Sequence, residues 1–162
     1  MSIDLVVPRA HALLGTDNAG PGGAHPPVPL DVVARRRILL AGADEAQGLM
    51  IRRALEADGY AVTARRSGRE TVLALVAEPA DLLLVNAPLV DGSAAALVRW
   101  ARARRASAHM TCMVLVSPDD EQLVAGLYDA GTDVVLTRRM QLDLLSRQVG
   151  AALARRPLAL AS

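Results

Sequence analysis

The chain has 162 residues, 52% of them hydrophobic, and a formal net charge of +1. That length suits one domain with a single packed core, and the apolar content excludes overall disorder. With 2% aromatic residues and almost no net charge, the composition excludes a base-stacking nucleic-acid platform and any general pull toward DNA or anionic lipid.

Every one of the 18 basic residues is Arg. The single cysteine, Cys112, lies in an apolar run, so no disulfide can form within the chain and a reducing, cytoplasmic setting is expected. No signal peptide is read at the N-terminus. No apolar run approaches the ~18 residues of a membrane span, so no membrane association is expected.

Residues 1–34 differ from the rest. Ile3 to Val7 suits a short strand that Pro8 ends. Gly15 to Pro29 then holds four Gly and four Pro, which disfavours regular structure. The segment reads as a flexible extension or linker, with docking on the domain as the alternative. A domain over 35–156 follows, and 157–162 form a C-terminal tail.

Within the domain Ile38 to Ala41 predicts a strand. Asp44 with Gln47 resembles a capping box opening a helix, with Leu49, Met50, Ala54 and Leu55 inward and Gly59 at its end. Tyr60 to Ala64 predicts a second, less hydrophobic strand nearer an edge. Ser67 with Glu70 is a second capping box, opening a helix to about Ala77. Leu82 to Val85 predicts a strand buried on both faces. It ends at Asn86, before a turn marked by Pro88 and Asp91-Gly92. Ser93 caps a helix to about Arg105. Cys112 to Val116 predicts the fourth strand. Ser117-Pro118-Asp119-Asp120 starts a helix with a Leu123/Leu127 core stripe and a Val124/Tyr128 pair beside it, closed by Ala130-Gly131. Val134 to Leu136 predicts the fifth strand, and Leu142, Leu145, Val149 and Ala152 share one face of the last helix.

Five strand–helix units with short buried strands predict an α/β domain: a doubly wound parallel sheet of five strands with helices on both sides. Ligands of such sheets sit beyond the carboxyl ends of the strands. There the chain places Gly42, Ala43 and Asp44, then Asn86, Ser117 and Arg138.

These residues, with Asp91-Gly92 and Ala130-Gly131, give residues 36–155 a resemblance to the receiver domain of bacterial two-component response regulators. The family has an acidic pair after the first strand, an Asp phosphoacceptor after the third, Ser/Thr after the fourth and Lys-Pro after the fifth. The resemblance implies a flavodoxin-like, CheY-like three-layer αβα sandwich of strand order 2-1-3-4-5, for which this family is a standard example. Ser117, Asp91-Gly92 and Ala130-Gly131 match. Gly42 and Ala43 replace the acidic pair, Asn86 the acceptor, and Arg138-Arg139 the Lys-Pro. Val135 stands where the family often has a switching aromatic residue, and the loop after Asn86 is shorter than usual.

Phosphoryl transfer to a carboxylate needs that nucleophile and a Mg²⁺ to gather the phosphoryl oxygens. An amide is a very poor nucleophile, and Gly42 and Ala43 offer no side-chain oxygen. The reading is therefore a pseudo-receiver with no metal, cofactor or enzymatic activity, acting in signal transduction by phosphorylation-independent protein contact. The expected partner is another protein or a second copy of the chain, across the face of the fourth helix, fifth strand and fifth helix. Val124, Tyr128, Asp143 and Arg147 are its candidate contacts, and no DNA-binding domain is expected. The alternative is a sensor that binds a small anion against Arg138 and the Gly42 loop.

Several residues carry two readings. Asp44 is a helix cap or a remnant metal ligand. Ser117 is a turn residue or a phosphoryl partner. Arg138 binds an anion or pairs with Asp44 or Asp91. Trp100 is core or a partner contact. The Arg runs 35–37 and 102–105 are solvated faces or phosphate contacts. His11, His25 and His109 lack metal-ligand spacing. Gly42 and Gly48 do not form a dinucleotide fingerprint.

Overall fold

Five apolar runs form the strands β1 (Arg37–Ala41), β2 (Ala61–Arg65), β3 (Leu82–Asn86), β4 (Thr111–Val116) and β5 (Val134–Thr137). Each is followed by a helix: α1 (Ala46–Ala57), α2 (Gly68–Ala77), α3 (Ala94–Ala103), α4 (Glu121–Ala130) and α5 (Leu142–Arg155). The structure is a computed structural model that describes residues 35–43 and 46–155. The expectations for residues 1–34, for Asp44 and for the tail lie outside the described residues.

The strands pair in parallel in the order β2-β1-β3-β4-β5, as expected. Every residue of β3 and β4 is buried, which is why both runs lack polar–apolar alternation. At one edge β2 buries only Val62 fully. One apolar layer sets α2, α3 and α4 against the sheet through Leu75, Leu97, Val98, Ala101 and Leu127. The other sets α1 and α5 against it through Ile51, Leu55, Leu145 and Val149. The sequence winds from β1 to β2, then returns to β3 on the other side of β1. The switch point therefore falls between β1 and β3, where Ala41 lies beside Val85.

Acids fasten the opposite end of the sheet. Asp81 accepts the Arg37 N–H at 2.7 Å, and Asp133 accepts the Cys112 N–H at 2.8 Å. Arg37 also pairs with Glu78 just past α2.

Two helix faces differ from expectation. In α1 the buried residues are Gly48, Ile51 and Leu55, while Leu49 and Met50 are exposed. A Cβ at Gly48 would lie 2.6 Å from Ala43 Cα. The helix can approach the β1–α1 loop that closely along its Gly48 side alone, which turns Leu49 and Met50 outward. In α4 Leu127 and Ala130 are buried and Leu123 is exposed. α4 opens at Asp120, which makes no side-chain cap hydrogen bond, and its first turn stands clear of the core.

The reading of 102–105 as one solvated run also fails at Arg102. Its guanidinium donates to the carbonyls of Gly131, Ala108 and Met110 at 2.9, 2.8 and 2.5 Å, and pairs with Asp133 at 2.7 Å. Gly131, at φ 111°, makes room for it: a Cβ there would meet Arg102 Cγ at 2.8 Å. Trp100 is half-buried against the core, with the Arg104 guanidinium 4.9 Å from its ring centroid, a cation–π distance.

Candidate functional site

At the switch point the Asn86 side chain is 3% exposed. Its Nδ2 donates to the Gly42 carbonyl at 3.3 Å, and its Oδ1 is buried with no hydrogen-bond partner. Gly42 stands at φ 82°, and a Cβ built on it would lie 2.5 Å from the Asn86 carbonyl oxygen. A residue with a side chain meets both a disfavoured backbone and a clash there. The ends of β1 and β3 are thus closed on each other, backbone against backbone.

The other sequence-predicted residues are ranged along the same sheet end. Gly42 N and Ala43 N both donate to the Arg65 carbonyl, at 2.9 and 3.1 Å. The small-anion reading sets its ligand against Arg138 and this loop, of whose backbone these two N–H groups are engaged within the fold. Ser117 Oγ accepts the Asp119 N–H at 3.3 Å, as a turn residue does. Arg138 is half-buried. Its N–H donates to the Val116 carbonyl and its own carbonyl accepts Gln47 Nε2, each at 2.8 Å. Gln47 thereby ties α1 to the residue after β5.

Asp91 has a different task from pairing with Arg138. Its two carboxylate oxygens accept the N–H groups of Gly68 and Arg69 at 2.7 and 3.0 Å. They supply the first turn of α2 with acceptors from a distant loop. The Gly68 bond, then the Arg69 bond, hold the Asp91 carboxyl below the usual aspartate range. Ser67 Oγ caps the same turn by accepting the Glu70 N–H at 3.1 Å, and Glu70 reaches back to the Arg66 N–H at 2.9 Å. The Asn86–Gly92 loop is therefore pinned at both ends, to Gly42 through Asn86 and to α2 through Asp91.

Tyr128, Val124, Asp143 and Arg147 lie around β5, flanked by α4 on one sheet face and α5 on the other. The Tyr128 hydroxyl accepts the Val135 N–H at 3.3 Å, so it covers the open edge of β5.

Neither a protein-family model nor a curated protein matches the chain. Solved structures do. The signal receiver domain of a signal transduction histidine kinase from Syntrophus aciditrophicus matches with TM-score 0.71 and 22% identity, over 78% of this chain and 96% of that one. A CheY-like response regulator receiver domain protein from Methanospirillum hungatei JF-1 gives 0.71 and 20%, over 76% and 97%. A two-component response regulator from Clostridium difficile gives 0.70 and 20%, over 76% and 99%. The fold is that of a receiver domain.

A receiver's Mg²⁺ does not fit the residues described at this end of the sheet. Gly42 has no room for a carboxylate, Ala43 carries none and Asn86 is an amide. Among the described residues no three His, Cys, Asp or Glu side chains gather into a metal-binding group. None of the described helices is long and apolar enough to cross a membrane.

The sequence left three structural residues unseen: Arg102, Asp133 and the Tyr128 hydroxyl. The arginines at 102–105 were the one signal for the first two, which meet across 31 residues of chain. For Tyr128 there was none, because its partner is a backbone N–H.

Proposed function

We propose that the chain is a receiver-fold signalling module that has lost phosphoryl transfer and acts in a cytoplasmic pathway by protein contact. One observation carries this reading: the closure of β1 on β3 at Gly42 and Asn86. A carboxylate cannot return to position 42 without opening that contact, and Asn86 spends one amide hydrogen on holding it shut. Transfer to a side chain needs a nucleophile and groups to hold a metal, and Gly42, Ala43 and Asn86 carry no carboxylate for either. The module has no catalytic role in this reading, and its output passes through surfaces rather than through chemistry at the crevice.

The test is incubation of the full chain with acetyl phosphate and Mg²⁺, followed by intact mass. No phosphoryl gain is expected on the natural sequence. A gain of one phosphoryl group, lost in Asn86→Ala or in any other side-chain variant of the crevice, overturns the reading.

A further inference from the structure

We propose that the outward face of α2, with Val90 beside its first turn, docks an acidic amphipathic segment of a partner protein. The proposal rests on the protein-contact reading above and assigns that contact a surface and a chemistry. Leu73 is 62% exposed, Val76 55% and Val90 70%, the highest values among the large apolar side chains described. Arg69, Leu73 and Val76 stand at i, i+4 and i+7, so they form one stripe along the helix. Val90 precedes Asp91, which bonds Gly68 N and Arg69 N where that stripe starts. Three of the most exposed apolar groups thus belong to one surface.

The charge at the end of that surface selects the partner. Arg65, Arg66 and Arg69 are exposed, and none of them makes an ion pair among the described residues. Of the nearby acids, Asp91 feels the charge of Arg69, while its oxygens and one of Glu70 are taken by backbone N–H groups. An apolar stripe that starts among exposed arginines is complementary to a helix whose apolar face ends in Asp or Glu. A second copy of this chain is the weaker fit. An antiparallel α2 pair would bring Arg69 toward Glu78, which already holds Arg37. Because Val90 and Asp91 belong to the loop that begins at Asn86, the surface is continuous with the closed crevice.

The experiment uses the full chain as bait for a phage-displayed library of random peptides, with the Leu73→Glu/Val76→Glu variant as counter-bait. All three apolar side chains are exposed, so the variant keeps its fold, which its melting temperature verifies. The expected pool is rich in Asp and Glu with apolar residues at helical spacing. A selected peptide should lose roughly tenfold or more in affinity on the double variant and on Arg66→Glu/Arg69→Glu, and should weaken with added salt. A pool without acidic bias, or one that binds the natural chain and the double variant alike, overturns the proposal. So does an α2-dependent dimer in sedimentation, which would make the second copy the occupant. None of these readouts involves phosphate, so they fail or succeed independently of the acetyl phosphate test.

Discussion

At the scale of single residues, Asn86 is the informative position, because it puts an amide at the end of β3 and bonds the Gly42 carbonyl with it. Substituting Asn86→Asp returns a nucleophile of the right type, yet it places an ionised oxygen against the Gly42 carbonyl where Nδ2 now donates. No described group donates a hydrogen bond to the buried Asn86 Oδ1, so the folded state should lose about 3 kcal/mol at neutral pH. When the introduced carboxyl is protonated it can donate to that carbonyl instead. Its folded pKa is therefore raised, and the penalty grows as pH rises above the unfolded value of about 4. Melting curves should show the variant close to the natural chain at pH 4 and well below it at pH 7. Equal loss at both values would mean that repulsion at Gly42 is not the cause. The same variant should gain no phosphoryl group from acetyl phosphate. Adding Gly42→Asp should worsen folding instead of rescuing transfer, since φ 82° and a 2.5 Å approach leave no place for the side chain.

At the scale of elements, α2 is held by a side chain from a distant loop, and α3 is held through a side chain of its own. The Asp91 carboxyl is held below its usual range by α2 N–H groups, so its contribution is fully present above about pH 4. It is lost as pH falls through the lowered folded value. Asp91→Asn should melt below the natural chain at pH 7, and the gap should close on acidification beneath that window. A gap that persists into acid would place the effect in shape rather than charge. Arg102 fastens α3 to the turn before β4 and to the α4–β5 connection through three carbonyls and Asp133. Arg102→Met keeps much of the apolar stem and removes every donor. It should cost about 3 kcal/mol, roughly 10 °C of melting temperature in a domain near this size. A loss within a degree or two would show those carbonyls to be solvated in the natural chain.

At the scale of the whole molecule, the strand order and both sheet faces were legible because four-residue apolar runs broken by Gly, Pro and caps have few other arrangements. Ser67, Ser93 and Gly131 acted as read. The inward faces of α1 and α4 were not legible, since Gly48 against Ala43 fixes a rotation that periodicity leaves open. The vacancy of acids at Gly42 and Ala43 was plain in the sequence. Its structural consequence, closure onto Asn86, depends on an approach that no spacing encodes.

The remaining expectation concerns assembly across β5. This edge strand is half-buried, and α4 and α5 border it from opposite sheet faces. Tyr128 is 48% exposed, with Leu123 and Leu144 also outward, while Asp143 and Arg147 stand exposed on α5. A two-fold pairing there would bury the tyrosine rings and let Asp143 meet Arg147 of the other copy, each contact occurring twice. Sedimentation at micromolar concentration should show a dimer that Tyr128→Glu weakens by roughly tenfold or more. Tyr128 also accepts the Val135 N–H, so its loss alone is ambiguous between interface and edge. Leu123→Glu removes apolar surface without touching that bond, and it should weaken the dimer too. Tyr128→Phe removes the bond and keeps the ring, so it should lower the melting temperature while the dimer persists. A monomer at every concentration, or a dimer indifferent to both glutamates, would remove the β5 edge as the assembly surface and leave Tyr128 as a cover for the strand.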